Sequence, residues 1–478
     1  MTHKFYTLFF LMLFLVGTGI AQQSTTGKKP NIIYILADDM GYGDLGCYGQ
    51  DKIQTPNLDA MAASGMKFTD HYSGQTVCSP SRCSLMTGKH MGNSSVKRNG
   101  ELLDPEEVTV AELLKTAGYT TAAIGKWGLS KGVDTPNSAN SQGFDHWFGY
   151  ENQGFAHFYY PEYMYRNQEK VEYPKNLNSR DETGAYIPGK GTYSHDEFTR
   201  EALWFIEENK EKPFFLYLPY TIPHAEMTVP EDSLDPYLAL GWPERKKKEG
   251  GGGGVHGNEG FGSQYHGGYC AQSHPNATYA GMMSRMDRDI GAIRELISEL
   301  GLDENTIIMF ASDNGPDDSG GNNLAFFNST AGLRGRKRDI YEGGIRSPFI
   351  VQWEGQIQPG TVSDLPSAFW DFLPTACDLA GIESPRDTDG LSLLPTFLGE
   401  ESKQTKHDYL YWEWENMQAI RVDKWKLLYL NPEKSGASPI YELYDLATDP
   451  FETQNLAASK PGLIQELKKY FGEATKNQ

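Results

Sequence analysis

Short apolar runs that alternate with helical patterns constrain the fold of this 478-residue chain most strongly. Five runs rich in β-branched and aromatic residues have the length and composition of buried strands, at 31–37, 120–124, 213–218, 306–311 and 348–351. Helical patterns lie between them, for example at 110–116, 197–209 and 282–300. This order predicts an α/β fold in which a large mixed sheet is sandwiched by helices.

The C-terminal part of the chain has a different character. Residues 409–415, 419–422 and 425–430 predict short antiparallel strands, and residues 461–471 predict a final helix. We therefore expect an N-terminal catalytic domain at 28–400 and a smaller C-terminal α+β subdomain at 401–478, which would help to wall the site.

Four of the predicted strands lead into polar residues. Asp38 and Asp39 follow the first strand, and Asp313 and Asn314 follow the run that ends at 311. Gly125-Lys126-Trp127 follows the strand at 120–124, and His224 lies in the loop after residue 218. Ligand sites of open α/β sheets lie at the carboxyl ends of the strands. The sequence therefore predicts that these side chains share one site.

The carboxylates and the amide offer oxygen ligands, which suit calcium or magnesium better than zinc. Taken singly, each pair has a plainer interpretation, because Asp-Asp after a strand is often a solvated turn or helix cap and Asn-Gly is a common turn. A lone lysine or histidine is likewise usually solvated or packed without a function. Their matched placement favours a shared metal.

Cys78 opens a short predicted helix with the sequence CSPSR at 78–82. Pro80 suits the first helical turn and Gly88 suits the helix end. Cys78 would lie at the positive end of the helix dipole, one turn from Arg82. This placement predicts a reactive position, and the plainer alternative is a buried, inert cysteine beside a helix cap.

The N-terminus is typical of a secretory signal peptide at 1–21, with Lys4, an apolar stretch at 8–16 and small residues at Gly19 and Ala21. We expect export to the periplasm or the medium after cleavage near Ala21. No later segment approaches the roughly 18 apolar residues of a spanning helix, so no stable membrane insertion is expected. The net charge of −20 disfavours nucleic acid as a partner.

Two further features bear on the mature chain. The five cysteines leave at least one unpaired, and spacing does not decide whether Cys47, Cys83, Cys270 and Cys377 form disulfides. Residues 245–254, with three lysines and five consecutive glycines, predict an exposed, mobile loop.

The CSPSR motif resembles the signature of the sulfatase family, a branch of the alkaline-phosphatase-like superfamily. Further blocks resemble sulfatase motifs in sulfatase order: ADDMGYGD at 37–44, GKW at 125–127, SDNG at 312–315, LRGRKRDIYEGGIR at 333–346 and LYDLATDP at 443–450. The resemblance covers nearly the whole mature chain and implies a sulfuric ester hydrolase.

The resemblance implies that a maturation enzyme, either formylglycine-generating or cysteine-type, converts Cys78 to formylglycine. It further implies one Ca²⁺ per chain, bound by Asp38, Asp39, Asp313, Asn314 and the oxygen at position 78. One hydroxyl of the hydrated aldehyde would attack sulfur, and the alcohol of the ester would depart. The other hydroxyl would then lose its proton, which expels sulfate and regenerates the aldehyde.

The remaining roles follow from the same resemblance. Arg82 would stabilise the oxygen at position 78, and Lys126, His224 and Lys337 would hold the sulfate. Arg334, Arg336 and Arg338 surround Lys337, so the motif register alone selects it.

Substrate residues are less constrained. Arg98 and Asn99 lie in a stretch that resembles a substrate loop, and Asn152, His157, Asp317, Asp318 and Glu415 lie in segments that could line the cleft. Export, aromatic residues and polar loops favour a sulfated saccharide over a lipid sulfate.

One position departs from the family pattern. Many sulfatases have a histidine two residues after the lysine of Gly-Lys-Trp, where this chain has Gly128, and that histidine is usually assigned to the formylglycine. His71, His90 and His157 are available by residue type, and Gly128→His would restore the usual pattern. Two other functions therefore stay open: a metal-dependent phosphatase or phosphodiesterase of the same superfamily, and a catalytically impaired protein that binds sulfated glycans.

Overall fold

The computed structural model describes residues 28–150, 152–178, 190–244, 274–430 and 439–476. The predicted signal peptide at 1–21, the predicted loop at 245–254 and Cys270 lie outside the described residues. Within them, Cys47, Cys78, Cys83 and Cys377 are free thiols.

The strands of the described part are β1 Asn31–Ala37, β2 Met66–Phe68, β3 His71–Tyr72, β4 Thr120–Gly125, β5 His146–Gly149, β6 Tyr163–Arg166, β7 Glu169–Glu172, β8 Phe214–Pro219, β9 Thr306–Ser312, β10 Phe349–Gln352, β11 Thr361–Ser363, β12 Ser367–Ala368, β13 Leu410–Trp414, β14 Met417–Val422, β15 Trp425–Leu430 and β16 Ile440–Asp445. The α-helices are α1 Pro56–Ser64, α2 Cys78–Thr87, α3 Val110–Thr116, α4 Ser194–Asn209, α5 Glu231–Leu238, α6 Pro275–Glu299, α7 Leu324–Phe327, α8 Glu342–Ile345, α9 Phe372–Ala380, α10 Leu394–Phe397, α11 Pro461–Leu467 and α12 Lys469–Ala474.

Ten strands form one mixed sheet in the order β11-β2-β10-β9-β1-β8-β4-β5-β6-β7. Its centre is parallel: β1 pairs with β8 and β9, and β4 pairs with β8 and β5. All seven residues of β1 and of β9 are buried. Parallel strands covered on both faces have continuous apolar sequences, which is why these runs were predictable.

Helices cover both faces of this sheet. Ile33 and Ile35 of β1 point to a cluster that includes residues of α1, α4 and α6, whereas Ile32 and Tyr34 point to a second cluster with α2, α3 and α9. The alternation follows from the two-residue period of a strand. The predicted α/β sandwich is therefore confirmed.

The C-terminal sheet is antiparallel and has the order β13-β14-β15-β16. One of its faces packs with Trp370 and Tyr72 of the large domain, and the other packs with α11 and α12. The smaller antiparallel unit is confirmed, whereas the boundary near residue 400 stays a prediction.

Several predicted bounds were wrong, two of them for helices by more than three residues or by an interruption. The helix predicted at 282–300 begins at Pro275, because its first turns are buried on all sides and have no amphipathic period. The helix predicted at 461–471 is interrupted at Lys468 and resumes through Ala474. None of the helices in the described ranges combines the length and the apolar composition that a membrane span requires.

Candidate active site

Hydrogen bonds between loops align the polar ends of the central strands. Ala37 lies opposite Ser312 in the sheet, and the amide of Asp313 donates to the carbonyl of Ala37 at 3.0 Å. The amide of Lys126 donates to the carbonyl of Pro219 at 2.9 Å. Residues from four strand ends are thereby held at one edge of the sheet.

Helix α2 brings Cys78 to the same edge. All ten residues of α2 are buried, and Gly88 ends the helix with φ of +69°. The Cys78 Sγ lies 3.3 Å from Asp38 Oδ1 and 3.9 Å from Asp39 Oδ1. Burial, and next the Asp38 carboxylate, raise the pKa of the Cys78 thiol well above its usual value. The unmodified thiol therefore stays protonated despite its place at a helix start.

Three buried cations pair with three buried carboxylates. Lys126 Nζ lies 2.6 Å from Asp38 Oδ2, and Lys337 Nζ lies 2.6 Å from Asp39 Oδ2. Arg82 donates to Asp313 Oδ2 from Nε at 3.1 Å and from Nη2 at 2.7 Å. The three pairs balance in charge, as buried ions must.

The electrostatic effect of these pairs is clearest at Asp38. Burial opposes its ionisation, but Lys126, His224 and Arg82 together hold the pKa of Asp38 well below its usual value. Asp38 is therefore an anion at neutral pH and available to a cation.

Four buried side chains, two of them carboxylates, form a candidate metal-binding group that does not include Asp313. Ligand atoms of Asp38, Asp39, Cys78 and His224 all lie within 4.8 Å of one another, and the described residues contain no second such group. Asn314 Nδ2 donates to Asp39 Oδ1 at 2.8 Å, while Asn314 Oδ1 is buried without a hydrogen-bond partner among the described residues. The carboxylates of Asp38 and Asp39 and the unpartnered amide oxygen of Asn314 are donors that suit one hard cation.

Asp39 carries backbone strain at this position. Its φ is +65°, in the left-handed region that side chains other than glycine rarely adopt. Such strain is concentrated at functional sites. Asp313 Oδ1 accepts from the amide of Asp39 at 3.1 Å and helps to hold the strained turn.

His224 forms a stacked pair with His157, with ring centroids 4.2 Å apart. His224 Nε2 lies 3.3 Å from Asp39 Oδ2. Burial lowers the pKa of both imidazoles, and His224 further lowers that of His157. Both rings are therefore neutral at ordinary pH.

Of the three histidines considered by residue type, His157 alone reaches this cluster in the described structure. His71 bonds Ser367 and stacks on Phe349, and His90 Nε2 lies 3.6 Å from Asp389 Oδ1. No periodic pattern in the sequence distinguished His157 from the other two.

The three arginines near Lys337 in the sequence have partners outside the buried cluster. Arg336 pairs with Asp318, and Arg338 Nη1 lies 3.7 Å from Asp317 Oδ2. Arg334 Nη1 donates to the Tyr444 hydroxyl at 2.7 Å. Lys337 is the member of this run whose side chain is buried, with 2% exposure.

The predicted substrate residues lie outside the buried cluster of charged side chains. Asn99 Oδ1 accepts from the amide of Ser79 at 3.0 Å, so Asn99 caps the start of α2, which the sequence did not indicate. Arg98 is exposed on the same loop and does not join the buried cluster. Asn152 Oδ1 accepts from the amide of Phe155 at 3.0 Å, and Glu415 is exposed in the turn between β13 and β14.

Comparisons with known proteins agree with this geometry. The Sulfatase family model matches residues 30–382, and the model for the C-terminal region of N-sulphoglucosamine sulphohydrolase matches residues 335–477. N-acetylgalactosamine-6-sulfatase of Canis lupus familiaris is 32% identical over 450 residues, covering 87% of this chain and 74% of the relative.

Two further proteins match nearly end to end. N-acetylgalactosamine-6-O-sulfatase of Bacteroides thetaiotaomicron is 31% identical over 531 residues, covering 95% of each chain. The crystal structure of Ps i-CgsB in complex with k-i-k-neocarrahexaose superimposes with a TM-score of 0.74 at 27% identity, covering 94% of each chain.

Proposed function

This chain belongs to the sulfatase family and is a sulfuric ester hydrolase, and we propose that it acts on a sulfated saccharide through formylglycine at position 78 and one Ca²⁺. The observation that carries the proposal is the enclosure of Cys78 by three carboxylates and three cations. An aldehyde formed there would add water, and the resulting hydrate would supply a hydroxyl nucleophile that the protonated thiol does not replace.

Asp38, Asp39, Asp313 and Asn314 would hold the Ca²⁺ together with the oxygen at position 78. The ion would supply positive charge beside the reacting sulfate when bound. The orphaned Asn314 Oδ1 supports this ligand set, because it lacks any donor in the described part of the chain.

Lys126, Lys337 and His224 would bind the sulfate oxygens. Charge develops on the oxygens of a sulfate ester during hydrolysis, and the two fixed lysine cations in a dry site would stabilise that charge, with His224 as a neutral polar contact. Arg82 is committed to Asp313 and to the carbonyl of Lys126, where it donates from Nη1 at 2.7 Å. Arg82 would thus fix the position of the nucleophile-bearing helix while adding positive charge beside it.

The substrate class follows from the relatives. Two of them are named for the 6-sulfate of N-acetylgalactosamine, and a third was solved with a neocarrahexaose. These names support a sulfated saccharide for this chain. We also propose export, since the N-terminal sequence is typical of a signal peptide.

The test combines peptide mass with sulfate release. Protein from a host with the maturation enzyme should contain formylglycine at position 78 and should release sulfate from 6-sulfated N-acetylgalactosamine or a sulfated galactan oligosaccharide. Formylglycine-bearing protein that hydrolyses phosphate esters but no sulfate ester would instead favour the phosphatase alternative.

A further inference from the structure

Gly128 packs against a side chain from another loop. Its φ is +75°, and a Cβ built at this position would lie 2.6 Å from Gln153 Oε1. The same Cβ would lie 3.6 Å from Cδ of Arg82. The Gln153 carboxamide therefore fills the space beside Arg82 into which a side chain at position 128 would project.

The oxygen of that carboxamide has no donor. Gln153 Oε1 is buried, and no described residue hydrogen-bonds to it. Buried carbonyl oxygens are nearly always paired, so an orphan beside an active-site arginine needs an explanation. A ligand O–H group would satisfy it.

The loop that carries Gln153 also carries His157. Residues 152–157 run from the neighbourhood of Arg82 to the stacked pair with His224. The loop is fixed at its far end, where the amide of Glu226 donates to the carbonyl of His157 at 3.3 Å. Gln153 therefore belongs to one wall of the site that holds Cys78.

We propose that Gln153 accepts a hydrogen bond from an O–H group in the active site, a role that rests on the proposed sulfatase function. The donor is either the hydroxyl of the converted residue 78 or a hydroxyl of the saccharide. A carboxamide does not take up a proton at ordinary pH, so Gln153 orients the hydroxyl and is not the base. Gly128 is small because Gln153 occupies this space.

The test is a kinetic cycle with Gln153→Ala and Gly128→Ala. Losing one neutral hydrogen bond should lower kcat/KM by about 3- to 10-fold. Gly128→Ala should lower kcat/KM to a similar extent by displacing the carboxamide, and should add little in the Gln153→Ala background. Gly118→Ala is the matched control, because Gly118 has φ of +88° but open space around it.

The Gln153→Glu variant distinguishes a hydrogen-bonding role of Gln153 in the active site from a purely structural role. This variant keeps the shape but adds an ionisable group, so we expect an additional ionisation in the pH profile of kcat/KM. Additive effects of the two alanine substitutions, or an unchanged kcat/KM in Gln153→Ala, would overturn the inference.

Two substrates, assayed with the Gln153→Ala variant, identify the hydroxyl that donates to Gln153. An aryl sulfate without hydroxyls and a sugar sulfate should lose equal activity if the donor is residue 78, whereas a loss confined to the sugar assigns the donor to the saccharide. Wild-type protein with verified formylglycine that cleaves neither substrate would overturn the proposed function and the hydrogen-bonding role with it. The packing of Gly128 on Gln153 would then be decided by unfolding temperatures of the same variants.

Discussion

Lys337→Met removes one of the three buried site cations while keeping an unbranched side chain of similar length. Lys337 Nζ lies 2.6 Å from Asp39 Oδ2, and its side chain is 2% exposed. Burial disfavours the charged amine, but Asp39 and the other nearby acids raise the pKa of Lys337 well above its usual value. The ammonium is therefore present across the working pH range.

The size of the effect follows from that geometry. At 2.6 Å the pair is worth about 6 kcal/mol of Coulomb energy at an effective dielectric constant of about 20. Breaking a buried pair on one side costs about 3–5 kcal/mol of stability, since it leaves a carboxylate uncompensated. Losing a cation that contacts the transition state should lower kcat/KM by about 100- to 1000-fold.

Arg336→Met is the matched control one residue away. The Arg336 side chain is 49% exposed and pairs with Asp318, and such surface pairs contribute about 0–1 kcal/mol. Free sulfate should be measured on preparations with equal formylglycine content, and unfolding should be followed by circular dichroism with added Ca²⁺. Near-wild-type kcat/KM in Lys337→Met, or a large loss in Arg336→Met, would refute the assignment of Lys337 to the site.

Three further outcomes are expected. The peptide containing Cys78 from mature protein should be about 18 Da lighter than the thiol form. A mass spectrum that shows only unmodified cysteine would contradict this. The Cys78→Ser variant, made in a host that converts only cysteine, should fold but should not hydrolyse the substrate. The Asp313→Ala variant should lose activity and calcium binding, because Arg82 loses its partner and the ion loses a ligand. Undiminished Ca²⁺ affinity of this variant in calorimetry would exclude Asp313 as a calcium ligand. Burial raises the pKa of Asp44 from 3.8 to about 7, so its folded state holds the proton that the unfolded chain releases. Stability should therefore fall by up to about 4 kcal/mol between pH 4 and pH 7, and denaturant titrations of Asp44→Asn should lack this slope.

The parts of the fold that were predictable are those with a buried, continuous pattern. Strands β1, β4, β8, β9 and β10 were found within one residue at each end because helices cover both of their faces. The short strands β2, β3, β5, β11 and β12, the end strands β6 and β7, and β16 were missed. Strand β7 forms one edge of the large sheet, and its exposed sequence includes Glu169 and Lys170. A strand with few buried side chains has no apolar pattern in its sequence, so the sequence alone does not reveal it.

The residues of the site also fall into a group that the sequence predicted and a group that it did not. Asp38, Asp313 and Lys126 were predictable as a group, because each directly follows a central strand and parallel strands end at one edge. His157 and Gln153 were not, since they reach the site from a loop after β5 whose path depends on tertiary contacts. The capping role of Asn99 was missed for the same reason.

The departure at Gly128 shows how such a loop changes the meaning of a motif. From the sequence alone, Gly128→His looks like the repair of a missing catalytic group. In the structure the glycine has φ of +75°, and Gln153 Oε1 lies 2.6 Å from the position of its missing Cβ. A histidine there would meet both backbone strain and an occupied space, so the single substitution would displace Gln153 and disturb the wall beside Arg82. Gly128→His therefore changes two things at once, the group at position 128 and the place of the Gln153 carboxamide, whose residue lies 25 positions further along the chain.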